Sequence, residues 1–133
     1  MKRLLKLLGL TGLMATGTAC GTRAESFKDI STEEAEGLIK EPSTFLLDVR
    51  TPEEYTAGRL AKATLVPVQV LGSQLDKLPA DKEHPILLYC RSGHRSGVAA
   101  ELLAKQGYKK LYNMRGGMLA WSAEGRRVET GSQ

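Results

Sequence analysis

The residues best suited to chemistry form one short stretch between an apolar run and a helical pattern. The stretch begins with a thiol and reads Cys90, Arg91, Ser92, Gly93, His94, Arg95, Ser96. Fixed guanidinium charges and the free amides of a helix N-terminus both favour a thiolate over a thiol. The stretch therefore predicts that Cys90 is a nucleophile and that the six residues after it bind an anionic substrate.

Simpler interpretations exist for the same residues. A free cysteine is commonly a small buried residue, and an arginine is commonly a surface charge. Two arginines within five residues of Cys90, in a turn rather than on an exposed helix face, favour the nucleophile. The other histidine, His84, does not form a cluster with His94, cysteines and acidic residues, so the sequence predicts no metal site and no cofactor.

The pattern around the loop predicts a strand before it and a helix after it. Residues 86–89 are continuously apolar, which is typical of a strand covered on both faces. From Val98 the apolar residues recur on one helical face. We expect Gly93 and Gly97 to let the intervening loop curl its amides around the sulfur.

The remaining chain alternates between strand and helix patterns. Strands are predicted at residues 27–30, 45–49, 86–89 and 110–112, and residues 65–68 are predicted to be a short strand or an extended segment. Helices are predicted to begin at residues 31, 51, 70, 98 and 117. Ser31 with Glu34, and Thr51 with Glu54, have the spacing of capping boxes. The alternation predicts an α/β fold in which a small parallel sheet carries helices on both faces.

Asp48 and Arg50 end the second predicted strand, at the sheet edge where open α/β folds bind their ligands. A carboxylate beside an anion site would oppose binding. We therefore interpret Asp48 and Arg50 as structural residues that hydrogen-bond loop backbones and pair with each other or with Glu53 or Glu54. We interpret Glu53 and Glu54 as charges that start a helix rather than as an acid–base pair.

The first 19 residues resemble an export signal. Basic residues precede a short apolar stretch and then small residues, the pattern of a signal peptide. Cys20 follows at the position where bacterial lipoproteins carry their lipid, which predicts lipidation at Cys20 and an exported protein whose only link to a membrane is that lipid. The alternative is ordinary signal cleavage after Ala19 or Ala24.

Residues 20–26 are predicted to be a polar tether, residues 27–128 a single domain, and residues 129–133 a C-terminal tail. The net charge of +4 falls to +1 when residues 1–19 are removed, because three basic residues leave with them. The basicity thus belongs largely to the signal and gives no support for nucleic-acid binding. Both cysteines are expected to be unpaired, and the sequence does not predict an oligomeric state.

Three blocks resemble the rhodanese family, which has an α/β fold. The blocks are the loop at residues 90–96, the "LLDVRTPEEY" run at residues 46–55, and Gly116-Gly117 with Ala120, Trp121 and Gly125. Their order and spacing also match, so the resemblance covers about residues 27–128. Residues 58–63 depart from the family's usual "GHIPGA" segment, which puts the local conformation of that turn in question.

The resemblance implies a sulfurtransferase that carries sulfur as a persulfide on Cys90. Its partners would be a small anionic donor such as thiosulfate and an acceptor such as cyanide or a thiol. One alternative is a carrier or binding module that serves a protein partner. Another is a phosphatase or arsenate reductase, but tyrosine phosphatases use a Cys-x5-Arg loop, and the interval from Cys90 to Arg95 is one residue shorter.

Overall fold

A computed structural model describes residues 26–132. Five strands form one wholly parallel sheet in the order β1-β5-β4-β2-β3. The strands are β1 (Lys28–Ile30), β2 (Phe45–Asp48), β3 (Thr64–Leu65), β4 (Ile86–Tyr89) and β5 (Leu111–Met114). The predicted fold class, an α/β protein with a small parallel sheet, is confirmed.

Three α-helices connect strands and a fourth follows β5. They are α1 (Thr32–Ile39), α2 (Pro52–Ala57), α3 (His94–Lys105) and α4 (Gly117–Ala123). Both predicted capping boxes are present. In each, the N-cap hydroxyl accepts from the backbone of the third helical residue, whose glutamate side chain accepts from the N-cap amide. Short sequences thus define where α1 and α2 begin.

Two predicted elements between β2 and β4 differ from the structure. Residues 70–78 are not an α-helix but lie in two 3-10 helices, Val68–Ser73 and Leu75–Lys77, separated by Gln74. Apolar residues at 71, 75 and 78 fit either kind of helix, so their spacing could not distinguish them. Of residues 65–68, predicted as a short strand or an extended segment, only Leu65 belongs to a strand, because β3 ends there.

Helix α3 begins four residues earlier than predicted. Gly93 is its N-cap with φ of +106°, and the helix runs on from His94. The prediction for Gly97 was wrong, since Gly97 lies inside α3 and has no positive φ. The apolar pattern starts only at Val98 because the first helical turn faces the cysteine and solvent. Of the residues His94, Arg95 and Ser96 in that turn, only Ser96 is buried.

The core consists of two apolar layers, one on each face of the sheet. Leu47 and Leu88 pack with Leu103 of α3 on one face, and Leu87 and Trp121 of α4 belong to the other. All four residues of the middle strand β4 are fully buried. Cys90, the residue after β4, thus follows a strand that is buried along its whole length.

The predicted signal peptide and Cys20 lie outside the described residues. Within residues 26–132, no helix has the length and apolar character needed to cross a membrane. Because all strands are parallel, they begin at one end of the sheet and finish at the other. The chain therefore enters β1 at the end of the sheet opposite the end where β4 leads into Cys90.

Candidate active site

Cys90 follows the last residue of β4, and its sulfur faces the first turn of α3. The residue is 1% exposed, and it is a free cysteine. The Gly93 amide donates to Sγ at 3.1 Å, and the Ser96 hydroxyl lies 3.3 Å from Sγ. The sulfur therefore lies at the bottom of a cradle of hydrogen-bond donors, which a small substrate would enter.

The environment of Cys90 favours its thiolate. Burial acts to raise the pKa of the Cys90 thiol, but hydrogen bonds from the Ser96 side chain and from the amides of Ser96, Gly93 and Ser92 outweigh it. The pKa consequently lies below its ordinary value. Sequence analysis attributed this shift to the loop amides together with the arginines. The largest lowering effects come from the Ser96 hydroxyl, which it did not single out, and from the loop amides.

The first turn of helix α4 hydrogen-bonds to the backbone of the cysteine loop. The amides of Met118 and Leu119 donate to the carbonyl oxygens of Cys90 and Arg91, at 2.9 Å and 3.1 Å. The approach is so close that a Cβ on Gly117 would lie 2.5 Å from the Arg91 oxygen. Gly117 of the third sequence block is thus needed for contact with the cysteine loop, which is the first block.

The two arginines of the loop have different environments. Both terminal nitrogens of Arg95 donate to the Glu54 carboxylate, at 2.8 Å and 2.9 Å. Arg91 is exposed and forms no ion pair with any residue in the 26–132 range. Arg91 is therefore free to meet an anionic substrate, while Arg95 ties α3 to α2.

A chain of polar contacts reaches the sulfur from the side of β5. Ser96 Oγ lies 2.5 Å from Asn113 Oδ1, and Asn113 Nδ2 donates to Asp29 Oδ1 at 2.9 Å and to the Gly93 carbonyl at 3.1 Å. Ser96 is fully buried and Asn113 is 5% exposed. Two strands that do not carry the cysteine thereby help to hold the cysteine loop.

Comparison with known proteins identifies the domain. Residues 31–124 match the family model of the rhodanese-like domain. The chain belongs to this family. Its relatives include a sulfurtransferase from Allochromatium vinosum, 35% identical over 88 residues that make up 66% of this chain and 80% of that protein. They also include the thiosulfate sulfurtransferase GlpE of Coxiella burnetii, 36% identical over 97 residues, or 73% of this chain and 89% of that protein.

The fold of the rhodanese-like domain is also seen in solved structures. A rhodanese-like domain protein from Staphylococcus aureus matches with a TM-score of 0.69 and 32% identity, over 80% of this chain and 100% of that one. The family resemblance read from the three sequence blocks is thereby confirmed.

The structure brings the predicted site residues of the rhodanese-like domain into one loop and one helical turn. Ser92, Gly93 and Ser96 provide donors near the sulfur, and His94 is exposed. Sequence analysis missed Asn113 and Asp29, which lie far from the loop in sequence. Parallel pairing of β4 with β5 and of β5 with β1 brings them close, and no local pattern signals it.

Asp48 and Arg50 have the structural role that the sequence predicted, and of the partners it left open they pair with each other. The Arg50 guanidinium donates to both carboxylate oxygens and, at 2.6 Å, to the Gly58 carbonyl. Both residues are buried. Within residues 26–132, no group of three or more histidine, cysteine and acidic side chains is arranged to hold a metal ion.

A cavity of about 320 Å³ opens beside the cysteine loop, between α2 and α4. Leu119 on its wall is 49% exposed. Its charged side chains are Arg50, Glu54 and Arg91, and its large apolar ones are Met118, Leu119 and Val128. Since Arg50 and Glu54 are already paired, Arg91 is the charge in this cavity that an incoming molecule can use.

Proposed function

We propose that the protein is a sulfurtransferase that moves sulfane sulfur from a small anionic donor such as thiosulfate to a thiophilic acceptor through a persulfide on Cys90. The observation that carries the proposal is the sulfur of Cys90 held among hydrogen-bond donors that lower its pKa. The sulfurtransferase relatives support the same reaction class.

The first half-reaction loads the cysteine. The Cys90 thiolate attacks the outer sulfur of thiosulfate, a new sulfur–sulfur bond forms, and the bond to the sulfonate sulfur breaks. Sulfite leaves with that electron pair. The loop amides then donate to the negative terminal sulfur of the persulfide, as preorganised donors do at a developing anion.

The second half-reaction unloads it. The carbon of cyanide, or the sulfur of an acceptor thiolate, attacks the terminal sulfur of the persulfide. The sulfur–sulfur bond breaks, and its electron pair returns to Cys90 as the thiolate. Arg91 attracts the anionic donor in the first step and does not take part in bond making.

Replacing the nucleophile tests the proposal. We expect Cys90→Ser to abolish transfer from thiosulfate to cyanide, because a serine hydroxyl is not ionised at neutral pH. Mass spectrometry of the parent protein after thiosulfate treatment should show one added sulfur atom on the Cys90 peptide, and Cys90→Ser should show none. Full activity in Cys90→Ser, or hydrolysis of p-nitrophenyl phosphate with no sulfur transfer, would overturn the proposal.

A carrier that passes sulfur to a thiol on a larger molecule is a second candidate, which the cavity beside the loop favours. The cavity of about 320 Å³, with the half-exposed Leu119 on its wall, is larger and more apolar than a cyanide ion requires. If the cavity receives a bulky acceptor, Leu119→Glu should slow transfer to glutathione and leave transfer to cyanide unchanged. Equal effects on both acceptors would argue against an acceptor site there.

We propose further that the mature protein begins at Cys20 and is held by its lipid at a membrane outside the cytoplasm. The motivation is the sequence pattern of residues 1–20. A tether ending at residue 26 would meet the domain at the start of β1, the sheet edge opposite Cys90, and would leave the loop accessible. Cell fractionation tests this, and an unmodified N-terminus in the soluble fraction would contradict it.

A further inference from the structure

Asn113 is oriented by its hydrogen bonds. Its amide nitrogen has two protons, which go to Asp29 Oδ1 at 2.9 Å and to the Gly93 carbonyl at 3.1 Å. A carboxylate and a carbonyl can only accept, so both contacts require the nitrogen on that side. The Asn113 oxygen must then face Ser96, whose Oγ lies 2.5 Å away.

The Ser96 hydroxyl has one proton and two neighbours. An amide oxygen cannot donate, so the short contact with Asn113 requires the Ser96 proton to lie between the two oxygens. When Cys90 is a thiol, its proton can point to Ser96 Oγ at 3.3 Å, and every group is satisfied. When Cys90 is a thiolate, its sulfur and the Asn113 oxygen compete for the same proton.

We propose that Asn113, held in place by Asp29 and Gly93, positions the Ser96 hydroxyl and competes with Cys90 for its proton. Asn113 and Asp29 are thus positioning residues that act on the sulfur through Ser96. The inference rests on the proposed role of Cys90 as the nucleophile, but thiolate formation can be measured without sulfur transfer.

Other charged groups surround the cysteine loop on all sides. Arg91, His94 and Arg95 belong to the loop and α3, and Glu54 lies on α2. Asp48 ends β2, Arg50 follows it, and Asp29 lies on β1. Arg95 interacts with the Cys90 thiolate by charge. Within residues 26–132, however, the side chain that hydrogen-bonds the sulfur is Ser96. An effect of Asn113 that passes through Ser96 should therefore vanish when Ser96 is removed.

The test compares the alkylation of Cys90 by iodoacetamide across pH in four forms of the full-length protein. All carry Cys20→Ser, which leaves Cys90 as the only thiol. The forms are the parent, Asn113→Leu, Ser96→Ala and the double variant. Below the pKa the rate follows the fraction of thiolate, so it reports directly on the ionisation of Cys90.

Loss of Asn113 should free the hydroxyl to donate to sulfur. At a pH below the parent pKa, we expect Asn113→Leu to react about three- to tenfold faster, the effect of one hydrogen bond. Ser96→Ala should react more slowly than the parent, and the double variant should match Ser96→Ala. An equal factor from Asn113→Leu in both backgrounds, or a slower rate in the parent background, would overturn the proposal.

A second pair of variants guards against a misfolded Asn113→Leu. Asp29 is exposed, so its replacement leaves the core intact. Asp29→Ala removes the acceptor that orients Asn113 and should accelerate alkylation by a smaller factor, whereas Asp29→Asn keeps an acceptor oxygen and should match the parent. Equal rates for the two variants would show that only the charge of Asp29 matters and would overturn its role.

The outcome separates this inference from the proposed function. If Cys90 shows the expected thiolate behaviour but no sulfur transfer, the sulfurtransferase proposal fails and the role of Asn113 stands. If sulfur transfer is normal but the double variant differs from Ser96→Ala by the full Asn113→Leu factor, the role of Asn113 fails and the sulfurtransferase proposal stands.

Discussion

Two neighbouring strands end in polar residues, but their donors are used differently. After β2, the buried Arg50 donates to the buried Asp48 and to a backbone carbonyl. After β4, the donors of Gly93 and Ser96 converge on one polarisable sulfur. The β2 end pairs a charge with its opposite, while the β4 end surrounds a group that is neutral until it loses a proton.

The difference separates a structural site from a reactive one on the same sheet edge. A buried charge that is fully paired gains nothing from a further ligand. The role of the Asp48–Arg50 pair is therefore structural, and its hydrogen bond to the Gly58 carbonyl fixes the intervening segment. Donors that surround an ionisable thiol lower its pKa and remain useful to any anion formed there, including a persulfide. Arg95 and Glu54 also form a structural pair, although they lie next to the reactive cysteine loop.

Breaking the β2 pair should produce the largest loss of stability. Arg50→Met leaves the Asp48 carboxylate buried without its partner, which should lower the free energy of unfolding by about 3–5 kcal/mol. Arg95→Met is the matched control, because its pair with Glu54 is partly solvent-exposed, and should cost about 1 kcal/mol or less. Urea denaturation measures both, and similar losses would contradict the distinction.

Pushing α4 away from the cysteine loop should come next. Gly117→Ala places a Cβ against the carbonyl oxygens of Cys90 and Arg91, so the loop must move and the sulfur must lose its aligned donors. Gly125→Ala is the matched control. Gly117 and Gly125 have φ of +54° and +71°, but a Cβ on Gly125 meets nothing within 4 Å.

Both variants should therefore lose about 1–2 kcal/mol from the left-handed backbone. The additional loss in Gly117→Ala belongs to the loop contact, and only this variant should also lose Cys90 alkylation and sulfur transfer. Thermal melts and alkylation rates measure the two effects. Normal alkylation in Gly117→Ala would mean that α4 does not position the loop.

The two loop arginines should separate substrate binding from stability. Arg91→Ala should weaken the use of thiosulfate, measured as kcat/KM, by about 1–3 kcal/mol, the scale of a charge-assisted contact. It should leave the melting temperature nearly unchanged, because Arg91 is exposed. Arg95→Ala should lower the melting temperature, because it removes the pair with Glu54, and should leave kcat/KM for thiosulfate nearly unchanged. If Arg95→Ala reduced thiosulfate use more than Arg91→Ala, Arg95 would be the anion-binding residue.

Local patterns were enough to predict the strand–loop–helix unit around Cys90 and the two capping boxes. The continuous apolar run at residues 86–89 is typical of a strand buried on both faces, and the Ser31 and Thr51 caps depend on residues three positions away. Such features depend on near neighbours along the chain.

The partners of the loop could not be predicted in the same way. Asn113 reaches Ser96, and Glu54 reaches Arg95, only because parallel strands and their helices bring distant segments together. Glu54 was correctly interpreted as a capping residue. That explanation was sufficient for the local sequence and so concealed its second role as the partner of Arg95.

The Glu54–Arg95 pair should give the smallest effect, one that depends on pH. Its hydrogen bonds with Arg95 hold the pKa of the Glu54 carboxyl at about 2, below its usual value of 4.5. A carboxyl whose pKa is lower in the folded state stabilises the fold above its unfolded pKa, and this contribution is lost as the pH falls from about 4.5 towards 2. The two side chains are 27% and 31% exposed, so we expect a contribution of about 1 kcal/mol or less.

Urea denaturation of the parent and of Glu54→Gln at several acidic pH values measures this contribution. The parent should be the more stable at neutral pH, and the difference should shrink on acidification, because glutamine does not titrate. The β2 pair supplies the comparison: Arg50→Met should remain far less stable than the parent over the upper part of this range. A difference between the parent and Glu54→Gln that stays constant with pH would show that Glu54 acts only as a neutral cap for α2.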